Sequence, residues 1–295
     1  MNPYCRMAAS AALSLPLLLS GCMFTTRKLP IPKPPLVTQT ATAADLVAQL
    51  NRRWTAFDTL NAKVQMQLSV LKAQEGLAKD YTSIPGIILM RKPEMLRVLG
   101  RVPVLGTRAF DMVSDGKDFT LWIPSRKQAF KGSNAITKKS LNQIENIRPK
   151  FFLDALVVRG LEADDLYTVT ADSITVEDAA KKHLYTVPEY VLGIMRRKPG
   201  SPQLTPMRVV RFHRDDLLPY QQDIYDNEGN LETQVVYEGY QNFGGNQYPT
   251  KVTIRCPIQE FQIVLTVDKI VENTNLSEDQ FQIDIPGETQ IKNLE

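Results

Sequence analysis

The sequence predicts a mainly β (α+β) fold in which a large antiparallel sheet curves around two helices. Between residues 63 and 271, many consecutive segments have strand character and are joined by short turns, which is typical of antiparallel neighbours. Two segments have helical spacing. A sheet of this size buries its apolar face by closing on itself, by packing on a second sheet or by curling around helices. We favour the last arrangement because it alone uses both helices.

The predicted elements follow from changes in the spacing of apolar residues. Apolar residues recur at helical spacing over Asp45–Phe57, and Asp45 is the expected N-cap. The period changes to two over Lys63–Val70, which predicts a strand with one apolar face and one polar face. The second helix is expected to begin near Pro149, since proline is favoured in the first turn.

The remaining predicted strands fill most of the chain and are separated by turn signals such as Asp115-Gly116 and Glu228-Gly229-Asn230. They are expected at Ile87–Arg91, Met95–Val102, Thr107–Ser114, Asp118–Ile123, Tyr167–Thr170, His183–Val187, Tyr190–Arg196, Met207–Arg214, Gln221–Asp226, Leu231–Tyr240, Tyr248–Arg255 and Phe261–Val271.

The start of the chain, residues 1–21, has the pattern of an export signal peptide. A short positive region holding Arg6 precedes an apolar run that is too short to span a bilayer stably, so a transmembrane helix is the weaker alternative. Leu19-Ser20-Gly21-Cys22 resembles the bacterial lipobox. That resemblance implies diacylglycerol transfer to the Cys22 sulfur, cleavage before Cys22 and N-acylation. Two or three acyl chains on Cys22 would make attachment to the membrane effectively permanent.

Residues 22–42 are predicted to be a proline-rich tether that joins the lipid anchor to a folded domain at 43–295. Proline-rich chain rises about 3.1 Å per residue, so roughly twenty residues reach up to about 60 Å. Met23 stands where an aspartate would indicate retention at the inner membrane in enteric bacteria. We therefore expect the outer membrane, facing the periplasm, with the outer face of the inner membrane and the cell surface as alternatives.

Charge and cysteine content limit the function classes. The chain has 35 Lys and Arg against 32 Asp and Glu, and loss of the signal peptide removes Arg6 alone, which leaves a net charge of +2. Near-neutral charge argues against a nucleic-acid partner. Cys5 leaves with the signal peptide and Cys22 carries lipid, so Cys256, a predicted buried strand residue, cannot form an internal disulfide.

No motif predicts an enzyme. His183 and His213 are the only histidines, and neither has a cysteine or carboxylate at metal-ligand spacing. A Gly-x-Ser-x-Gly elbow and a phosphate-binding glycine loop are both absent from the sequence. We therefore predict no catalytic residues, no metal and no cofactor other than the covalent lipid on Cys22.

Several motifs together resemble the LolA/LolB lipoprotein-localisation superfamily, from about Asp45 to the end of the chain. After the first helix and the alternating strand, they are Arg91-Lys92-Pro93-Glu94-Met95-Leu96-Arg97, the Asp115-Gly116 hairpin, Tyr248-Pro249 and the closing Phe281-Gln282-Ile283-Asp284-Ile285-Pro286. The resemblance implies an incomplete antiparallel barrel whose concave face holds acyl chains beneath a lid of helices. The lipid anchor is closer to the LolB type, because the LolA carrier type has no lipobox.

This resemblance assigns a hydrophobic groove and a lid. The groove residues are Val64, Met66, Leu68, Val70, Met90, Leu96, Val98, Phe110, Met112 and Leu121, and the lid residues are Leu50, Trp54, Phe57, Phe152 and Leu156. About 500 Å² of apolar lining left in water would cost on the order of 12 kcal/mol, comparable to the stability of a whole domain. An empty groove must therefore close. A permanently packed core is the alternative.

Pro103-Val104-Leu105-Gly106-Thr107 resembles the Pro-Leu-Gly hairpin of LolB, in which a protruding leucine assists lipoprotein delivery. The resemblance implies that Val104 and Leu105 form a membrane-inserting loop. An ordinary hairpin leucine folded onto the core is the alternative. The chain departs from LolB in its length, with additional sequence at about 134–206.

The sequence thus predicts a membrane-anchored periplasmic lipoprotein. It would bind acyl chains of lipids or acylated lipoproteins and help to deliver them to the outer membrane, with a periplasmic carrier protein as a further partner that the sequence leaves open. The alternative is a structural or sensing lipoprotein that uses the same fold to scaffold an envelope complex.

Overall fold

The computed structural model describes residues 31–32, 38–72, 76–135, 140, 142–178 and 183–294. The signal peptide, Cys22 and most of the tether lie outside the described residues, so the predictions about them stay predictions. The chain divides into a larger unit, residues 36–173 and 188–295, and a smaller unit, residues 1–35 and 174–187.

The structure contains two α-helices and sixteen strands within the described ranges. The helices are α1 (Ala43–Thr55) and α2 (Pro149–Leu156). The strands are β1 (Ile31–Pro32), β2 (Thr59–Lys72), β3 (Leu77–Asp80), β4 (Ile84–Arg91), β5 (Met95–Arg101), β6 (Arg108–Ser114), β7 (Asp118–Ile123), β8 (Gln128–Ser133), β9 (Leu166–Asp178), β10 (His183–Arg197), β11 (Leu204–His213), β12 (Pro219–Tyr225), β13 (Leu231–Phe243), β14 (Asn246–Cys256), β15 (Phe261–Glu272) and β16 (Gln290–Leu294).

In the larger unit the strands form one curved, unclosed sheet in the order β10-β11-β12-β13-β14-β15-β2-β4-β5-β6-β7-β8-β16. Neighbours in this order are antiparallel, apart from β8 and β16, which are parallel. The strands at the two ends of the order do not pair with each other, so the sheet is an incomplete barrel. This confirms the predicted fold class.

The smaller unit contains β1 and the adjoining ends of β9 and β10. In it, β1 pairs in parallel with β10, with Ile31 opposite Tyr185 and Pro32 opposite Thr186.

The core of the larger unit lies between the sheet and the two helices. On β5, Leu96 and Val98 are buried while their neighbours are less so, which confirms the period of two. Helix α1 buries Leu46 and Leu50, and α2 buries residues over most of its length. The rings of Phe151 on α2 and Phe261 on β15 meet edge to face with centroids 5.6 Å apart, so helix and sheet share one core.

Three features differ from the sequence predictions. The N-cap of α1 is Thr42, and Asp45 is the third residue of a capping box, in which it accepts hydrogen bonds from the Thr42 backbone N–H (2.9 Å) and hydroxyl (2.7 Å). Strand β10 is continuous where two strands were expected. Strands β1, β3, β8 and β16 were not predicted, and β1 lies in the predicted tether. They are short and lack a marked apolar alternation, so that pairing with neighbours decides their conformation.

Candidate functional site

The ten predicted groove residues lie on β2, β4, β5, β6 and β7, which are neighbours in the sheet. Eight are buried, namely Val64, Met66, Val70, Met90, Leu96, Val98, Met112 and Leu121. Leu68 and Phe110 are partly buried and pack against the same core. The structure therefore brings these side chains together as one apolar wall, which the helices cover. Their role in holding acyl chains stays a prediction.

Four of the five predicted lid residues, Leu50, Phe57, Phe152 and Leu156, are buried, and Trp54 is partly buried. Lys92, in the turn after β4, holds the end of α1 in place. Its ammonium lies 4.4 Å from the centre of the Trp54 ring and 4.1 Å from that of Phe57, and it donates a hydrogen bond to the Trp54 carbonyl. Desolvation lowers the pKa of Lys92. In this conformation α1 is closed over the sheet.

The loop between β5 and β6 presents two neighbouring apolar side chains to the outside. Val104 has a relative exposure of 105% and Leu105 one of 74%, so Leu105 is not folded onto the core. Val104 has a φ of +68°, which is a rare conformation for a β-branched residue and costs on the order of 1–3 kcal/mol. The loop is closed by hydrogen bonds from Val102 N–H to the Thr107 carbonyl (2.8 Å) and from Gly106 N–H to the Val102 carbonyl (3.0 Å).

The surroundings of this loop are basic and partly apolar. Arg101 and Arg108 flank it on β5 and β6, and both are exposed. Strand β3 pairs with the end of β2 that extends beyond β4, so it lies at the same end of these strands as the loop. Its first residue, Leu77, is 60% exposed. This end of the sheet therefore offers apolar side chains next to positive charge.

A cavity of about 690 Å³ lies beside α2, and the sequence did not predict it. Of the ten predicted groove residues, Leu96 alone lines it. Its wall combines polar and apolar side chains and comes from α2, the segment after α2, β11, β12 and several turns. The carboxylates of the wall are Glu94, Asp154, Glu162, Asp165, Asp226, Glu228 and Glu232, and the basic residues are Lys150, Arg159, Arg196 and Arg208. In the sequence, the polar side chains of α2 were the only indication of this cavity.

Ion pairs hold the charged side chains of this wall in place. The Lys150 ammonium lies 2.7 Å from the Glu232 carboxylate, and Arg159 lies 2.9 Å from Asp154. Burial alone would lower the pKa of Lys150, but the carboxylates of Glu232 and Asp154 outweigh it and raise this pKa. Arg208 donates to two backbone carbonyls, and burial lowers its pKa.

A second cluster of polar side chains, around Glu189, connects the neighbouring strands β10, β11 and β12. Glu189 is fully buried and accepts hydrogen bonds from Arg211 (2.8 Å) and from the Tyr220 hydroxyl. Burial and this carboxylate raise the pKa of Tyr220. His213 ends β11, as predicted, and its ring stacks on Tyr220 at 4.1 Å. Cys256 is buried, as predicted. Across the described ranges, no three His, Cys, Asp or Glu side chains are grouped so as to hold a metal ion.

No helix in the described part of the chain combines the length and the apolar character needed to cross a bilayer.

No protein-family model and no curated protein matches the chain. Solved structures do show similar folds. A DUF1329 family protein from Desulfovibrio piger is 12% identical over 81% of this chain and 95% of its own, with a TM-score of 0.52. A LolA superfamily protein from Nitrosomonas europaea is 15% identical over 83% of this chain and 99% of its own, with a TM-score of 0.49.

At these identities the likeness concerns the fold and not the activity. The DUF1329 protein, with the higher of these two TM-scores, establishes that the curved sheet and its helices are a known architecture. Membership of the LolB type stays a prediction. A LolA superfamily protein is among the solved structures similar to this chain.

Proposed function

We propose that this protein is a periplasmic lipoprotein, anchored by Cys22, that binds acyl chains of lipids or acylated lipoproteins and helps to deliver them to the outer membrane. The observation that carries the proposal is the loop tip at Val104 and Leu105. It exposes two adjacent large apolar side chains, and these two have the highest relative exposure of the large apolar residues described. Exposed apolar side chains beside basic residues are typical of membrane contact.

The energetics suit a steering role. Burying one side chain of this kind contributes about 1.5–3 kcal/mol, and each basic residue near an anionic surface adds about 1 kcal/mol. Val104, Leu105, Arg101 and Arg108 together would bias the orientation of a domain that its anchor already holds at the membrane. The positive φ of Val104 supports this proposal, because strain of this kind persists where it serves a function.

The acyl-binding part of the proposal rests on the arrangement of the helices over the concave apolar wall. In the closed conformation α1 and α2 cover that wall and the groove residues contact the protein's own side chains. An acyl chain would replace those contacts when the helices move apart. Since both occupants are hydrocarbon, the exchange requires little net loss of apolar burial.

Vesicle flotation tests the loop. The full chain with Cys22→Ala lacks acyl chains, so the binding measured comes from the protein surface. Leu105→Glu should lower binding to vesicles that contain anionic lipid by at least tenfold, because a carboxylate must be desolvated or excluded from the bilayer. Val271→Glu is the control, since Val271 is an exposed apolar residue on β15 outside the loop. Equal binding by the Leu105→Glu and unsubstituted chains would contradict the membrane role of the loop.

Mass spectrometry of the purified chain tests the cargo. Acylated molecules that copurify with the Cys22→Ala chain would support acyl binding. If no acylated molecules copurify and Leu105→Glu leaves vesicle binding unchanged, the alternative of a structural or sensing lipoprotein would be favoured.

A further inference from the structure

We propose that the cavity of about 690 Å³ beside α2 binds an aliphatic amine, a ligand that carries ammonium groups on a hydrocarbon chain. This inference does not rest on acyl binding or on membrane delivery, because the cavity shares only Leu96 with the predicted groove.

The charge of the lining favours a cation. Among the described residues that line the cavity, seven are carboxylates and four are basic, which is an excess of three negative charges. Glu94, Glu162 and Glu228 of this set are exposed, and the first two also lie 3.6 and 2.9 Å from Arg159 and Arg196. Clefts lined by one sign of charge raise the local concentration of ligands of the opposite sign.

Three of the four basic side chains already lie in ion pairs within the described part of the chain, although the buried Nε of Arg159 makes no hydrogen bond there. Lys150 pairs with Glu232, and Arg159 pairs with Asp154. Arg196 lies 2.7 Å from Asp165 and 2.9 Å from Glu162. An anionic ligand would have to displace these carboxylates.

Arg208 is the basic residue of the lining that pairs with backbone oxygens instead. It donates to the carbonyls of Arg159 (2.8 Å) and Gly160 (3.0 Å), and Asp154 and Asp165 are near enough to act on its charge. Its guanidinium N–H groups are therefore in part already occupied by acceptors of the protein itself.

Two buried amides give independent support. Gln222 and Gln259 line the cavity and are 1% and 4% exposed. Among the described residues, neither side-chain oxygen has a hydrogen-bond partner. The orientation of the Gln222 amide is set by its nitrogen, which donates to the Asp154 carbonyl (3.0 Å). A buried acceptor without a donor destabilises the protein, and a ligand with N–H groups would supply the missing donor.

Both observations indicate the same ligand, because an ammonium group supplies N–H donors and positive charge together. The apolar part of the lining, including Leu96, Leu153 and Ile224, suits methylene groups between amines. The volume lies within the range of about 300–1,000 Å³ found for small-molecule pockets. A polyamine and the amine headgroup of a lipid share this chemistry.

Calorimetric titration tests the site on the full chain with Cys22→Ala. Spermidine should bind, with affinity that falls as salt is raised. Sorbitol and citrate are the uncharged and anionic comparisons, and neither should bind. Vesicles of phosphatidylethanolamine separate the sources. Binding of spermidine assigns a free polyamine, and binding of these vesicles through the same residues assigns a lipid amine.

Two substitutions locate the binding. Gln259→Met removes the amide oxygen at nearly unchanged side-chain size. It should weaken spermidine binding at least tenfold without lowering the midpoint of thermal unfolding, since the oxygen that it removes has no hydrogen-bond partner among the described residues. Gln241→Met, on an exposed part of β13, is the matched control and should bind as the unsubstituted chain does. Glu228→Gln, at the exposed opening, should weaken binding less.

Binding of sorbitol or citrate in place of spermidine would overturn the proposed ligand class. Spermidine binding that Gln259→Met leaves unchanged, or no binding of any amine, would overturn the site. Neither result bears on the membrane contact of Leu105, which the vesicle measurements test separately.

Discussion

At the scale of single residues, the buried carboxylate of Asp111 stabilises the part of the sheet next to the exposed loop. Asp111 on β6 is fully buried, and both its oxygens accept hydrogen bonds from Arg97, at 2.9 and 2.7 Å. Arg108 approaches the same carboxylate at 3.5 Å. The carboxylate is thus held between two guanidinium groups next to the exposed loop, and it braces the two strands that carry the loop.

Asp111→Asn should destabilise the fold by about 3–5 kcal/mol, because breaking a buried ion pair leaves an uncompensated charge. Urea unfolding at neutral pH measures this loss. Asp118→Asn, an exposed aspartate on β7, is the control and should change stability by less than about 1 kcal/mol. A loss as small as that of the control would mean that Arg97 finds another partner.

At the scale of elements, α1 depends on its first turn. The Thr42 hydroxyl accepts a hydrogen bond from Asp45 N–H at 3.2 Å, and the Asp45 carboxylate accepts from the Thr42 N–H. The pattern Thr-x-x-Asp was visible in the sequence, but the apolar spacing began at Asp45 and drew the predicted N-cap three residues too far along. Capping geometry involves the backbone, which apolar periodicity does not report.

Thr42→Ala should lower the free energy of unfolding by about 1 kcal/mol, the usual cost of losing an N-cap side chain. Thermal unfolding at neutral pH measures it, with Thr42→Ser as the control that keeps the hydroxyl. Equal losses from both substitutions would show that the methyl group and not the cap matters.

The same capping box predicts a dependence on pH. Hydrogen bonds from the Thr42 backbone and side chain lower the pKa of Asp45. A carboxyl whose pKa is lower in the folded state stabilises the fold above its unfolded pKa of about 3.9, and this contribution is lost as the pH falls through the folded value. Asp45→Asn should therefore flatten the acid side of the stability profile. An unchanged profile below pH 4 would contradict it.

At the scale of the whole molecule, the acyl-binding proposal requires α1 to move. Asn51 on α1 accepts a hydrogen bond from Leu161 N–H (2.8 Å), in the segment after α2. A Cβ placed on Gly160 would lie 3.5 Å from the Asn51 Cα and 3.3 Å from the Trp54 Cδ1, so cysteines at 51 and 160 would be neighbours, and a disulfide between them requires the Trp54 ring to shift slightly. Such a disulfide would connect α1 covalently to the segment that follows α2.

The double substitution Asn51→Cys and Gly160→Cys should block uptake of a fluorescent fatty acid when oxidised and restore it on reduction. Fluorescence titration under both conditions measures the change, and Asn51→Cys alone controls for the thiol. Full uptake by the oxidised protein would show that α1 is not the lid and would favour a permanently packed core.

The candidate site was predictable from the sequence only in part, and the loop and the cavity show why. The loop at Val104 and Leu105 was identified because five consecutive residues between two predicted strands resemble the Pro-Leu-Gly hairpin of LolB. The amine cavity was not, because Lys150, Arg208 and Gln222 come from α2, β11 and β12 and meet only after the sheet curves. A site assembled from distant segments leaves no local pattern in a single sequence.

The sequence by itself determined the mainly β character, most strand positions, the turns at Gly116 and Gly229 and the position of α2, because these depend on side-chain spacing and on backbone preferences within a few residues. The tertiary structure decided the parallel pairing of β16 with β8, the continuity of β10 and the polar cavity. Those features depend on contacts between residues far apart in the chain, whose free energy exists only once the sheet has formed around its helices.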